Sequence, residues 1–97
     1  MIDQTGVSLP DGRGIRWDEV ATVSAYKIDA IHTTDTYLTF DTEYGEYLEI
    51  MSEEAEFQEV MAALDRFLNL PEGWRARVEA ATPDEDPIQL WSKEKVE

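Results

Sequence analysis

The sequence predicts an α+β fold: an antiparallel, curved sheet of five or six strands with one main amphipathic helix. Three observations carry this. Two hairpin signatures sit in the first half, the hydrophobic period changes from two to 3.6 after residue 51, and no strand–helix alternation suggests a parallel sheet. The 97 residues suit one domain, 1–97, with 83–97 as a tail docked on the rest. A chain this short buries only roughly 60–65% of its unfolded surface, so its core is limited and either a monomer or a homodimer is expected.

In TGVSLPDGRGIRW, Val7 and Leu9 alternate with polar neighbours, Pro10-Asp11-Gly12 is turn chemistry, and Ile15 and Trp17 resume the alternation. This is the first hairpin. WDEVATVSAYKI favours a strand through Val20, Thr22, Val23, Tyr26 and Ile28, but the alternation breaks near Val23. A bulge, or a short helical turn at Asp18-Glu19, accounts for the break. TYLTFDT and EYLEI flank Tyr44-Gly45 as a second hairpin, with Leu38 and Phe40 on one face and Leu48 and Ile50 on one face.

From Ser52 onward Phe57, Val60, Met61, Leu64, Phe67 and Leu68 follow helical spacing. Ser52 is the expected N-cap, Glu53, Glu54 and Glu56 suit the positive end of the helix dipole, and Pro71 with Gly73 ends the helix. GWRARVEAA reads as a short helix from Pro71 or as a loop, with Trp74 and Val78 inward in the helical case. IQLW reads as a short strand or a docked tail. A tryptophan so near the end, Trp91, gains little unless it packs.

The net charge is −14, from 22 acids and eight bases. From Ile28 to Asp65 there are eleven acids and no lysine or arginine. Such a field repels phosphate backbones and anionic membranes, so neither nucleic acid nor membrane is an expected partner. It attracts and steers a basic protein, although acids also serve solubility alone. There are no cysteines, which excludes thiol catalysis, disulfides and Cys-based metal sites. With no basic, apolar leader at its start and no long apolar run, the chain is expected to be cytoplasmic.

The only histidine, His32, lies between Asp29 and Asp35. Asp-x-x-His-x-x-Asp could supply three metal ligands, an acid/base pair, or a polar strand connection. One histidine with carboxylates and threonines is a poor zinc set, and no nucleophile or oxyanion donor adjoins it in sequence. Asp29, Asp35, Thr33 and Thr34 are all ordinary turn residues, and the turn is the preferred reading. DTEYGEYLE (41–49) has alternating acids but misplaces the glycine of a calcium loop, and reads better as a charged hairpin. No phosphate loop, G-x-S-x-G or H-E-x-x-H occurs. The expectation is a non-enzyme without a cofactor. Tyr26, Tyr37, Tyr44 and Tyr47, with Trp74 and Trp91, either fill half-buried positions or line a binding face.

GIRWDEV, AYKID, a paired strand unit, SEEAEFQEVMAALDRFL, GWRARVEAA and a terminal LW, from about Ile15 to Trp91, resemble a group of small bacterial proteins without assigned function. The layout is also similar to the PH-like sheet-plus-helix scaffolds of bacterial toxin-immunity proteins. In those the helix closes the chain, whereas here it precedes the tail. The resemblance implies an immunity-like, inhibitor-like role and transfers no catalytic residue. Together with the charge, it points to a module that engages a basic protein through Asp41, Glu43, Tyr44, Glu46, Tyr47 and Glu49, with Asp29 and Asp35 nearby. The alternatives are a structural or self-associating domain, or a minor metal site at Asp29, His32 and Asp35.

Overall fold

The computed structural model describes residues 2–29, 33–83 and 85–93. Among these residues the chain forms six strands, two α-helices and one 3-10 turn. Strands β1 (Gly6–Ser8) and β2 (Gly14–Arg16) pair antiparallel, with Val7 opposite Ile15. Leu9 N–H donates to the Arg13 carbonyl at 2.8 Å and closes the loop between them. The two backbones approach so closely that a Cβ on Gly6 would lie 2.2 Å from the Ile15 carbonyl oxygen, so only glycine fits there.

A 3-10 turn at Trp17–Glu19 follows, and then β3 (Val20–Asp29), β4 (Thr34–Thr42) and β5 (Tyr47–Met51). Both explanations offered for the broken alternation are present. The 3-10 turn is there, and the β3–β4 register also shifts between Val20 and Thr22. The extra residue puts Val20 and Val23 on the same buried side, each fully shielded from solvent. The helical turn has a second consequence. It interrupts pairing between β2 and β3, so the first hairpin forms a separate two-stranded sheet instead of extending the main one. The expected single sheet of five or six strands is therefore six strands divided two and four.

The four-stranded sheet has the order β5-β4-β3-β6, every neighbour antiparallel, with β6 spanning Ile88–Ser92. Thus part of the 83–97 segment is an edge strand, docked on β3 with Val23 opposite Trp91. The sheet is open, with β5 and β6 at its edges.

Helix α1 runs Phe57–Phe67 and α2 runs Trp74–Ala80. On α1 the residues Phe57, Val60, Met61, Ala63 and Leu64 are buried, as the spacing predicts. The start differs from expectation. Ser52 is not the N-cap, and α1 begins five residues later without a side-chain cap. The Ser52 hydroxyl is engaged elsewhere: it accepts from Thr36 N–H at 3.0 Å while Ser52 N–H donates to the Thr36 carbonyl at 2.8 Å. The β4–β5 ladder thus consumes the cap. Helix α2 takes the helical option for GWRARVEAA, with Trp74 and Val78 both buried. One main helix is therefore joined by a second, shorter one.

The core lies between the helices, the first hairpin and one face of the large sheet, where Val23, Ala25, Leu38, Phe40, Leu48 and Ile50 meet Phe57, Val60, Leu64 and Trp74. Trp17 is its hinge piece. Its ring packs 6.3 Å from Phe40 and stacks 5.8 Å from Phe67, and its Nε1 donates to the Asp3 carbonyl at 2.7 Å. Burying an indole is favourable only when its N–H finds such a partner. Trp74 does the same, donating to Asp65 Oδ1 at 2.7 Å. That bond, and then the Arg75 guanidinium, holds the Asp65 carboxyl below the usual carboxylate range.

Candidate functional site: the open face of the sheet

Alternation along β3, β4 and β5 sends every second side chain away from the helices. On this outer side the registers place Thr22 opposite Asp41 and Asp41 opposite Tyr47, then Ser24 opposite Thr39 and Thr39 opposite Glu49. The next row holds Tyr26 opposite Tyr37 and Tyr37 opposite Met51, and beyond it Ile28 faces Asp35. Rows of this kind are about 7 Å apart. Inner residues at the middle of the same strands, Val23, Ala25, Leu38, Phe40, Leu48 and Ile50, are buried, whereas these outer ones are half-buried or exposed; Ile28 is 46% and Tyr47 67% exposed.

The middle of this face is tied together by side-chain bonds. The Tyr26 and Tyr37 rings stack with centroids 5.0 Å apart and planes 6° from parallel. Tyr26 O–H reaches diagonally to donate to Glu49 Oε2 at 2.5 Å, and Thr39 Oγ1 donates to the same oxygen at 3.1 Å. Thr22 Oγ1 donates to Asp41 Oδ2 at 3.1 Å. Partial burial, and then the hydrogen bond to the Glu49 carboxylate, push the Tyr26 phenol up to about 12. Tyr26 is therefore a fixed donor at neutral pH, and it holds Glu49 in place.

The residues singled out from the sequence do not form one patch. Asp41, Tyr47 and Glu49 share the open face with Asp35, which lies six residues from Asp41 along β4, about 20 Å away. Glu43, Tyr44 and Glu46 sit on the β4–β5 turn at one end, where Tyr44 is 73% exposed. That turn closes with Thr42 N–H on the Glu46 carbonyl at 2.9 Å, and Thr42 Oγ1 accepts Tyr44 and Glu46 N–H groups. Gly45 supplies the left-handed φ of 87° that the turn requires. Glu43 is paired with Lys93 at 3.1 Å.

Asp29 sits on the other side. It pairs with Thr34 one register step from the Ile28–Asp35 row, so it projects to the helix side, where Thr34 Oγ1 donates to it at 3.0 Å. Asp29 and Asp35 thus point to opposite faces of the β3–β4 hairpin rather than converging. His32 lies outside the described residues. Among the described residues, no group of three or more His, Cys, Asp or Glu side chains has metal-binding geometry.

In the sequence Tyr26 and Tyr37 stand out only as members of a general aromatic set. Their adjacency depends on the β3–β4 register, which the sequence pattern does not specify. Trp74 leaves that set, being buried in the core as the first residue of α2, and Trp91 is half-buried against the core.

Among the described residues, the charges on the open face of β3, β4 and β5 are of one sign. Lys27 belongs to the helix side and donates to the Glu79 carbonyl at 3.0 Å. Arg13 caps the β5 edge: its guanidinium donates to the Glu49 carbonyl at 2.9 Å, to Glu54 Oε1 at 2.5 Å and to Asp11 Oδ2 at 2.8 Å. That guanidinium, and then Met51 N–H, hold the Glu54 carboxyl below its ordinary range. Open depressions in the surface lie elsewhere, one of about 670 Å³ beside β6 and one of about 510 Å³ over the β1–β2 hairpin. No helix among the described residues is long and apolar enough to cross a membrane. No family model, curated protein or solved structure matches the chain.

Proposed function

We propose that this protein is a non-enzymatic binding module of the bacterial cytoplasm that engages a basic protein, in the manner of an immunity protein or inhibitor. The observation that carries the reading is the open sheet face, a rigid row of tyrosines and carboxylates to which, among the described residues, no lysine or arginine contributes. Tyrosines supply large contact area at low entropic cost, and the negative field speeds encounter with a positive partner. The exposed turn with Glu43, Tyr44 and Glu46 extends the surface at one end.

The test is affinity capture from cells with a salt titration, using wild type, an Asp41→Lys/Glu49→Lys variant and a control Glu72→Lys/Glu79→Lys variant, with Glu72 just before α2 and Glu79 on it. The reading expects a basic protein that the control retains, that the face variant loses, and that salt releases. Equal capture by both variants, or a captured protein that is acidic, would remove it.

A self-associating module is the second reading, and β6 favours it. Its outer edge makes no backbone hydrogen bond to another strand among the described residues, and such edges template pairing with a further chain. Light scattering that finds a dimer, abolished by Gln89→Pro, would favour this alternative.

A further inference from the structure

The rows on the open face differ in chemistry, and their order is informative. Along β4 and its neighbours they run Asp41, then Glu49 with Thr39, then the Tyr26–Tyr37 stack, then Asp35. An extended chain laid along the strands repeats its side chains at the same spacing of about 7 Å. Its alternate residues would meet carboxylate, carboxylate, aromatic and carboxylate in turn. The aromatic row discriminates between cations. A guanidinium is planar, weakly hydrated and able to stack on a ring while keeping its edge donors for a carboxylate, whereas an ammonium is a strongly hydrated point charge. Here Glu49 is fixed beside the stack, with Oε2 accepting from Tyr26 and Thr39 and Oε1, among the described residues, left to accept from a ligand.

We propose that the open face of the sheet docks an extended, arginine-bearing segment of a basic protein, with a guanidinium stacked on the Tyr26–Tyr37 pair and flanking cations on Asp41, Glu49 and Asp35. This rests on the basic-partner reading and adds to it the side chain recognised. The occupant follows from charge complementarity: the face bears three carboxylates, Lys27 is turned to the helix side, and Lys93 is engaged with Glu43 and the Asp18 carbonyl.

Fluorescence anisotropy with labelled octa-arginine and octa-lysine, which carry equal charge, tests it. Wild type binds octa-arginine about threefold or more tighter than octa-lysine, the ratio that one exposed cation–π contact supplies. Tyr37→Leu, which leaves the net charge unchanged, abolishes that preference while octa-lysine affinity stays the same. Should Tyr37→Leu fail to fold, proton NMR of wild type replaces it. The ring protons of Tyr26 and Tyr37 then shift with octa-arginine and not with octa-lysine. Equal affinity for both peptides, a preference that survives Tyr37→Leu, or ring protons that respond to both alike overturns arginine recognition and leaves the basic-partner reading standing. Binding of neither peptide overturns both.

Discussion

The two faces of the large sheet come from the same strands, residue by residue in alternation, yet they do opposite work. The inner face is Val23, Ala25, Leu38, Phe40, Leu48 and Ile50, all at most 3% exposed and covered by the helices and the first hairpin. The outer face is mostly threonine, serine, tyrosine and carboxylate, with Ile28 and Met51 among them, and its middle is knitted by hydrogen bonds. The inner face stabilises by removing apolar surface from water, at roughly 25 cal/mol per Å². The outer face exchanges protein–water hydrogen bonds for protein–protein ones, with a net gain of only about 1 kcal/mol each. The difference teaches where sequence change is tolerated: stability resides beneath the sheet, and the open face contributes less to it.

The largest expected effect breaks the inner face. Phe40→Ala removes a fully buried ring that contacts Trp17 and should cost about 3–5 kcal/mol in chemical denaturation. A cost below about 1 kcal/mol would mean that the core is not organised around Phe40. Next comes the clip between the sheets. Arg13→Ala severs the bonds from the first hairpin to Glu49 and Glu54, and should cost about 1 kcal/mol, the side chains being partly exposed. Glu54 is held below its ordinary value when folded. Its contribution is therefore present above the unfolded carboxylate pKa of about 4.3 and lost as pH falls through the folded value. Arg13→Ala should accordingly flatten the acid limb of stability against pH.

At the other end of the pH scale the outer face reports on itself. The Tyr26 phenol is raised to about 12, so its contribution is complete below pH 10 and lost as pH rises from about 10 to 12. Ultraviolet titration should find a phenol ionising near pH 12 that disappears in Tyr26→Phe and moves down in Glu49→Gln. The smallest effect is expected at the turn. Tyr44→Ala should change stability by no more than about 0.5 kcal/mol, because the ring is largely in water.

Periodicity made the inner face readable in advance. Leu38, Phe40, Leu48 and Ile50 alternate, and Phe57, Val60, Met61 and Leu64 recur with helical phase, because burial imposes a strict pattern on residue type. The outer face was legible only as composition. Whether Asp35 faces with or against Asp29, and whether Tyr26 meets Tyr37, depends on register, and a shift of one residue reverses every assignment. Ser52 was misplaced for a related reason. As a hydroxyl ahead of a helix it suits a cap, but nothing in its neighbourhood announces that Thr36 occupies it across the ladder. The separation of the first hairpin from the main sheet was also hidden, since it follows from the helical turn at Trp17 rather than from strand propensity.

The division of labour between the faces is tested most directly by amide chemical-shift mapping of wild type titrated with octa-arginine. Shifts are expected only in the outer rows of β3, β4 and β5, centred on Tyr26, Tyr37, Thr39 and Glu49, with α1 and α2 unmoved. Shifts centred on the helices, or spread evenly over the acidic surface, would contradict it.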